Sequence, residues 1–275
     1  MRQLIITVIG TFVNGISLFS SRAASKLALL LFSKPRKIKI KDTENDFLMT
    51  AFTEVINDKD LHIMTYRWLG KKETVLLAHG WESNSYRWKS LIQKLKALDY
   101  NIIALDAPAH GKSSGTKFNA LLYSECIHRV AKKFNANIII GHSVGGMATA
   151  FCMGTYTLPA VKKLVLLGAP SNFVGVFHRY MAMMGYNKRV SRAMDNLVLE
   201  RFNHKPEHFS AARFIENSNT EILLIHDVKD KIIPYSDVED FKHYNDSAKL
   251  ISTEGFGHGL RHDDVNNHII DFVNA

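Results

Sequence analysis

Only two cysteines, Cys126 and Cys152, occur in 275 residues, too few for a disulfide framework and in keeping with a reducing, cytoplasmic compartment. The 13 histidines are scattered, and none stands with cysteine at zinc-ligand spacing, so neither a metal centre nor a cofactor is expected. Acidic residues are missing altogether from positions 1–41. There Arg2, Arg22, Lys26, Lys34, Arg36, Lys37, Lys39 and Lys41 account for all but one unit of the net charge of +9. The rest of the chain is nearly neutral, and so local an excess does not imply a nucleic-acid partner. Apolar runs of spanning length are scarce as well. Leu4–Ser21 is uncharged, but Thr7, Gly10, Thr11, Asn14, Gly15, Ser17 and Ser20 dilute it.

Three readings of that N-terminal stretch stay open. It can be a signal peptide with Leu4–Val13 as its apolar core. It can be a membrane span or anchor. It can be an amphipathic helix or helix pair, continued by Leu27, Leu30 and Leu31, that packs on the protein or lies on a membrane surface. Pro35 ends the helical region, because proline disfavours helix in the residue before it. With 46% hydrophobic residues, the chain can bury a substantial core, and its length suits one large domain. The expected division is therefore a basic arm, 1–41, and a single domain, 42–275. Oligomeric state is not legible.

Beyond the arm, Asp46–Phe52 reads as a short helical turn and Leu61–Leu69 alternates like a strand with one wet face. Thr74–Ala78, Asn101–Leu105, Asn137–Ile140, Val161–Leu167, Glu221–His226 and Lys249–Thr253 are short aliphatic strands. Helical periodicity fills Ser85–Leu98, Leu121–Phe134 and Asp263–Val273. Strands alternating with helices predict an α/β fold: a mostly parallel, twisted sheet covered by helices on both faces. Such sheets bind ligands beyond the carboxyl ends of their strands.

The chemistry-bearing residues all lie just after strands. Asn137–Ile140 runs without a spacer into Gly141-His142-Ser143-Val144-Gly145 and then a small-residue helix. Glycines at 141 and 145 allow a sharp strand-to-helix turn that lifts the Ser143 hydroxyl clear. A serine nucleophile needs a base and an orienting acid. Asp230 in Asp227-Val228-Lys229-Asp230 and His258 in Gly255-Phe256-Gly257-His258-Gly259 come after the two later strands in that order. Asp227, which more readily shapes its turn, is the rival acid. His262, which more readily opens the last helix, is the rival base. Developing oxyanion charge calls for two backbone N–H donors, and Val144 and Trp81 stand where these are needed. His79 and His142 read as loop braces.

With these residues the chain resembles the α/β-hydrolase superfamily from about Leu61 to the C-terminus. The carrying motifs are Gly-His-Ser-Val-Gly-Gly at 141–146, Asp230, His258, His79-Gly80-Trp81, and the loop Asp106-Ala107-Pro108-Ala109-His110-Gly111-Lys112-Ser113. The resemblance implies a small helical cap insertion at about 171–219. Within it Phe177, Met181 and Met184 share a helical stripe that either packs on the core or lines an apolar substrate pocket. It also implies a serine hydrolase acting on a small-molecule ester or related acyl substrate through an acyl-enzyme on Ser143. A membrane-surface lipase or acyltransferase using residues 1–41, and a non-catalytic hydrolase-fold binding protein, remain alternatives.

Overall fold

The computed structural model describes residues 2–58 and 60–275. In chain order the elements are α1 (Arg2–Phe19), α2 (Ser21–Ser33), α3 (Asp42–Leu48), β1 (Phe52–Asp58), β2 (Leu61–Trp68), β3 (Thr74–Ala78), α4 (Lys89–Ala97), β4 (Asn101–Leu105), α5 (Ala120–Lys133), β5 (Ile138–His142) and α6 (Val144–Thr155). They continue with β6 (Lys163–Leu167), α7 (Phe173–Met184), α8 (Lys188–Phe202), α9 (Ala211–Phe214), β7 (Glu221–Asp227), α10 (Ser236–Tyr244), β8 (Lys249–Thr253) and α11 (Asp263–Asn274). Contacts divide the chain into two compact units. One joins the N-terminal stretch through Lys34 to Asn172–Ser210, and the other is Pro35–Ser171 with Ala211–Ala275.

The larger unit holds one eight-stranded sheet in the order β1-β2-β4-β3-β5-β6-β7-β8. β1 and β2 are antiparallel to their neighbours, and β3 through β8 run parallel. Every residue of β3, β4 and β5 is buried, as their continuous aliphatic sequences require for strands covered on both faces. One apolar layer joins Leu77, Ile102 and Ile140 to Trp88, Leu91 and Ile269. Because the strands are parallel, the loops after β3, β4, β5, β7 and β8 emerge at one edge, where an open sheet places its site.

β1 was not expected. The helical turn lies earlier, as α3, and Phe52 starts a strand that pairs with β2 from Phe52↔Arg67 to Asp58↔Leu61. β1 is the sheet's outer edge, with Phe52 and Val55 exposed, so burial imposes little apolar periodicity on it.

The smaller unit is helical, and its composition differs from the expected split between an arm and a single domain. α1 and α2 pack with α7 and α8, which lie some 150 residues away in sequence. A Cβ at Gly10 would lie 1.8 Å from the Met184 carbonyl oxygen, so glycine permits the close approach of α1 to the end of α7. Asn14 donates to Gly185 O and accepts from Asn187 N–H, both at 2.8 Å, and Asn187 Nδ2 donates to Ser17 Oγ at 3.0 Å. Phe32 of α2 meets Phe173, Phe177 and Tyr180. Among the described residues no helix is long and apolar enough to cross a membrane.

Candidate active site

The turn from β5 into α6 is as tight as its glycines imply. A Cβ at Gly145 would lie 2.4 Å from His79 O and 2.5 Å from Ala78 O, and one at Gly141 would lie 2.6 Å from Gly146 Cα. These are backbone collisions that no rotamer relieves. Ser143 has φ 55° and ψ −129°, a left-handed conformation that L-residues hold only when the surroundings force it. Its N–H donates to Leu167 O at 2.8 Å, anchoring the turn to the end of β6.

Ser143, His258 and Asp230 are in hydrogen-bond contact. His258 Nε2 lies 2.9 Å from Ser143 Oγ, and His258 Nδ1 lies 2.7 Å from Asp230 Oδ2. The other carboxylate oxygen of Asp230 accepts N–H bonds from Ile232 at 2.8 Å and Ile233 at 3.0 Å. Burial disfavours the charge on Asp230. The bonds from His258, Ile232 and Ile233 outweigh that penalty and hold the carboxyl below its usual range. This polarity makes Asp230 an acceptor, so Nδ1 carries the imidazole proton and Nε2 faces the hydroxyl as an acceptor.

The rivals stand elsewhere. Asp227 accepts from Lys229 N–H, Thr253 Oγ1 and Phe256 N–H, tying the loop after β7 to the loop after β8. His262 precedes α11 and accepts from Asp264 N–H at 3.3 Å.

Two donors hold the His258 loop by consecutive carbonyls. His142 Nε2 donates to His258 O at 2.8 Å, and Arg87 donates to Gly259 O at 2.9 Å. Burial keeps His142 neutral, pulling it well below the usual imidazole range. Arg87 lies over the Trp88 ring, 4.5 Å from its centroid, and burial draws its guanidinium down to about 9. A brace role for His142 is legible in its position before the serine. Arg87 carries no sequence signal, because its partner is 172 residues away.

The loop after β3 runs directly against the serine: a Cβ at Gly80 would lie 3.0 Å from Ser143 Cβ. His79 is fully buried. Its Nδ1 donates to Gly80 O at 2.7 Å and its Nε2 accepts from Ala107 N–H at 3.0 Å, and burial pulls its pKa to about 3. His110 accepts from Glu82 N–H at 3.0 Å. Glu82 adopts φ 48° and its carboxylate accepts from Arg36 N at 2.9 Å and Arg36 Nε at 2.8 Å. Trp81, whose N–H is a candidate oxyanion donor, sits between these braces with its indole edge-on to Phe118. The other candidate, the Val144 N–H, begins α6 and has no acceptor within that helix. Asp106 is buried and accepts from Ser85, Tyr66 and the Lys112 N–H, which fixes the loop after β4.

Phe177, Met181 and Met184 lie in α7 and are buried. The Phe177 ring packs on Phe173 at 4.8 Å and on Phe32 at 5.4 Å, so these side chains build the interior of the helical unit.

Residues 73–198 match the model of the family described as the alpha/beta hydrolase fold. Over 108 residues the chain is 34% identical to a protein of Drosophila melanogaster named "Probable serine hydrolase". That match takes in 36% of this chain and only 32% of the fly protein. Among solved structures, an esterase from Exiguobacterium antarcticum superposes with a TM-score of 0.64 at 17% identity, over 82% of this chain and 100% of its own. A bromoperoxidase from Bacillus anthracis gives 0.63 at 18% identity, over 82% and 100%. A putative lipase from Acinetobacter baumannii gives 0.63 at 18%, over 87% and 96%. At such identities the likeness is one of fold, and the named activities differ among these proteins. Sheet order, strand–elbow–helix turn and family match agree: the chain has the α/β-hydrolase fold, and its residues 73–198 match that family's model.

Proposed function

We propose that the protein is a serine hydrolase that cleaves a small-molecule carboxylic ester or related acyl bond through an acyl-enzyme on Ser143. The observation that carries this reading is the unbroken chain of contacts from Ser143 Oγ to His258 Nε2 and from His258 Nδ1 to Asp230. His258 takes the hydroxyl proton as Ser143 attacks the acyl carbon. It then passes that proton to the leaving alcohol as the tetrahedral intermediate collapses. Water repeats the sequence on the acyl-enzyme, with His258 again as base, and frees the acid. Asp230 holds the imidazole in the tautomer that makes Nε2 basic and stabilises the imidazolium that forms. The N–H groups of Val144 and Trp81 receive the oxyanion, and α6 adds the positive end of its dipole. The close packing of Gly80 against Ser143 supports that assignment. Cys126 and Cys152 are buried and, among the described residues, take part in no disulfide, which supports a reducing compartment.

The test is a fluorophosphonate probe, which phosphonylates an activated serine. The wild-type chain labels and Ser143→Ala does not. Equal labelling of the two would remove Ser143 as the nucleophile. A panel of acyl esters of increasing chain length then reads out the preferred substrate.

A further inference from the structure

We propose that α1 docks the protein on an anionic bilayer, lying in the plane of the interface with its outward apolar face among the acyl chains and the basic residues of its unit against the headgroups. The helix has two unlike faces. On one, Gly10, Val13 and Ser17 are buried, and the bonds of Asn14 and Ser17 to Asn187 secure it to the start of α8. On the other, Leu4, Ile5, Val8 and Phe12 are each more than half exposed and Phe19 is 95% exposed.

At 3.6 residues per turn these five fall within an arc of about 100°. Gly15 lies in the same arc, with nothing within 4 Å of the place its Cβ would take. No polar side chain among positions 3–19 interrupts that arc, and no charged residue occurs from Gln3 to Ser21. A helix packed on one side and wet on the other carries polar residues outward. Soluble monomers rarely leave so continuous an apolar face uncovered.

Charge selects the occupant. The unit that contains α1 holds ten Lys and Arg against three Asp and Glu, a net +7 of the chain's +9. A second copy would bring +7 against +7, whereas an anionic surface complements it. Lys188, Arg189 and Arg192 are all exposed in the opening turns of α8, directly after the Asn187 that is bonded to Asn14. Among the described residues none of the three has an ion-pair partner, and no acid accompanies them in that first turn. Cations oppose the dipole at a helix N-terminus, so local helix stability does not account for them. Eighteen residues, without the apolarity for a span, fit a helix that lies in the interface.

The proposal stands apart from the catalytic reading, so it is tested in the full-length Ser143→Ala chain. Sedimentation with vesicles of phosphatidylcholine alone is compared with vesicles in which about 30% of the lipid is phosphatidylglycerol. Binding is expected to the anionic vesicles and to weaken in 0.5 M salt, on the order of the loss expected for screened charges. Phe12→Ser with Phe19→Ser is expected to lower the vesicle partition coefficient about tenfold or more. Both side chains are exposed, so an unchanged circular dichroism spectrum and melting midpoint verify folding of the variant. Lys188→Gln, Arg189→Gln and Arg192→Gln together should erode the preference for anionic lipid. Absence of vesicle binding, or equal binding by the Phe12/Phe19 variant, overturns the proposal. So does a dimer in light scattering that the Phe12/Phe19 variant dissolves while vesicles leave it intact, which would assign the face to a second copy.

Discussion

Replacing Ser143 by glycine should make the protein more stable than replacing it by alanine, reversing the usual order. Both variants lose the hydroxyl and its 2.9 Å contact with His258 Nε2, so that loss cancels in the comparison. Alanine keeps the Cβ that disfavours φ 55°, ψ −129°, and such a conformation costs about 1–3 kcal/mol. Glycine removes this strain but adds about 0.5–1 kcal/mol of unfolded-state freedom. The difference favours Ser143→Gly by roughly 0.5–2 kcal/mol, a few degrees in melting temperature for a domain of this size. Urea unfolding of the two variants, followed by fluorescence with matched m-values, measures it. If Ser143→Gly is the less stable of the pair by the ordinary half to one kcal/mol, about what an unstrained site gives, the elbow is not strained and the argument for its geometry fails. Neither variant should label with a fluorophosphonate.

Asp230→Asn should slow fluorophosphonate labelling by about 10³–10⁴-fold, the loss expected when the imidazole is held in the wrong tautomer. The N–H groups of Ile232 and Ile233 fix an oxygen on their side, so the new amide turns its NH₂ toward His258 Nδ1 and forces the proton onto Nε2. A labelling rate within tenfold of wild type would refute this. Acidification should destabilise the fold well above the carboxylate range. His79 is held neutral down to about pH 3 when folded but takes a proton near 6.5 when unfolded. The unfolded state therefore binds more protons as pH falls through 6.5, and at pH 5 the loss is about 2 kcal/mol from His79 alone. His110 and His142, also lowered by burial, act in the same direction, while Asp106, raised by burial, opposes them. A urea midpoint at pH 5 equal to that at pH 7.5 would contradict the sign.

Much of the sheet was readable because its central strands are covered on both faces, and full burial writes itself as unbroken aliphatic sequence: Thr74–Ala78 and Asn101–Leu105 are β3 and β4 residue for residue. The elbow was readable because part of its demand is local: a Cβ at 141 would strike Gly146 within the same turn, whereas the crowding that reserves 145 for glycine comes from Ala78 and His79 at the end of β3 and shows only in the folded chain. Asp230 and His258 were found by a rule of position, each lying in a loop after a strand and downstream of the serine.

Whether those three side chains touch is decided by tertiary structure alone. Parallel pairing of β5 through β8 brings their loops to one edge, and a shift of register would separate them. The donors that hold the His258 loop, and the Arg36–Glu82 clamp beside Trp81, join residues 46 to 172 positions apart and leave no local trace. The same holds for the helical unit. The apolar stripe of Phe177, Met181 and Met184 shows in the sequence, but which surface covers it is settled only when Phe32 and Gly10 arrive from the other end of the chain. Periodicity records that a face must be buried, and only the folded chain supplies what buries it.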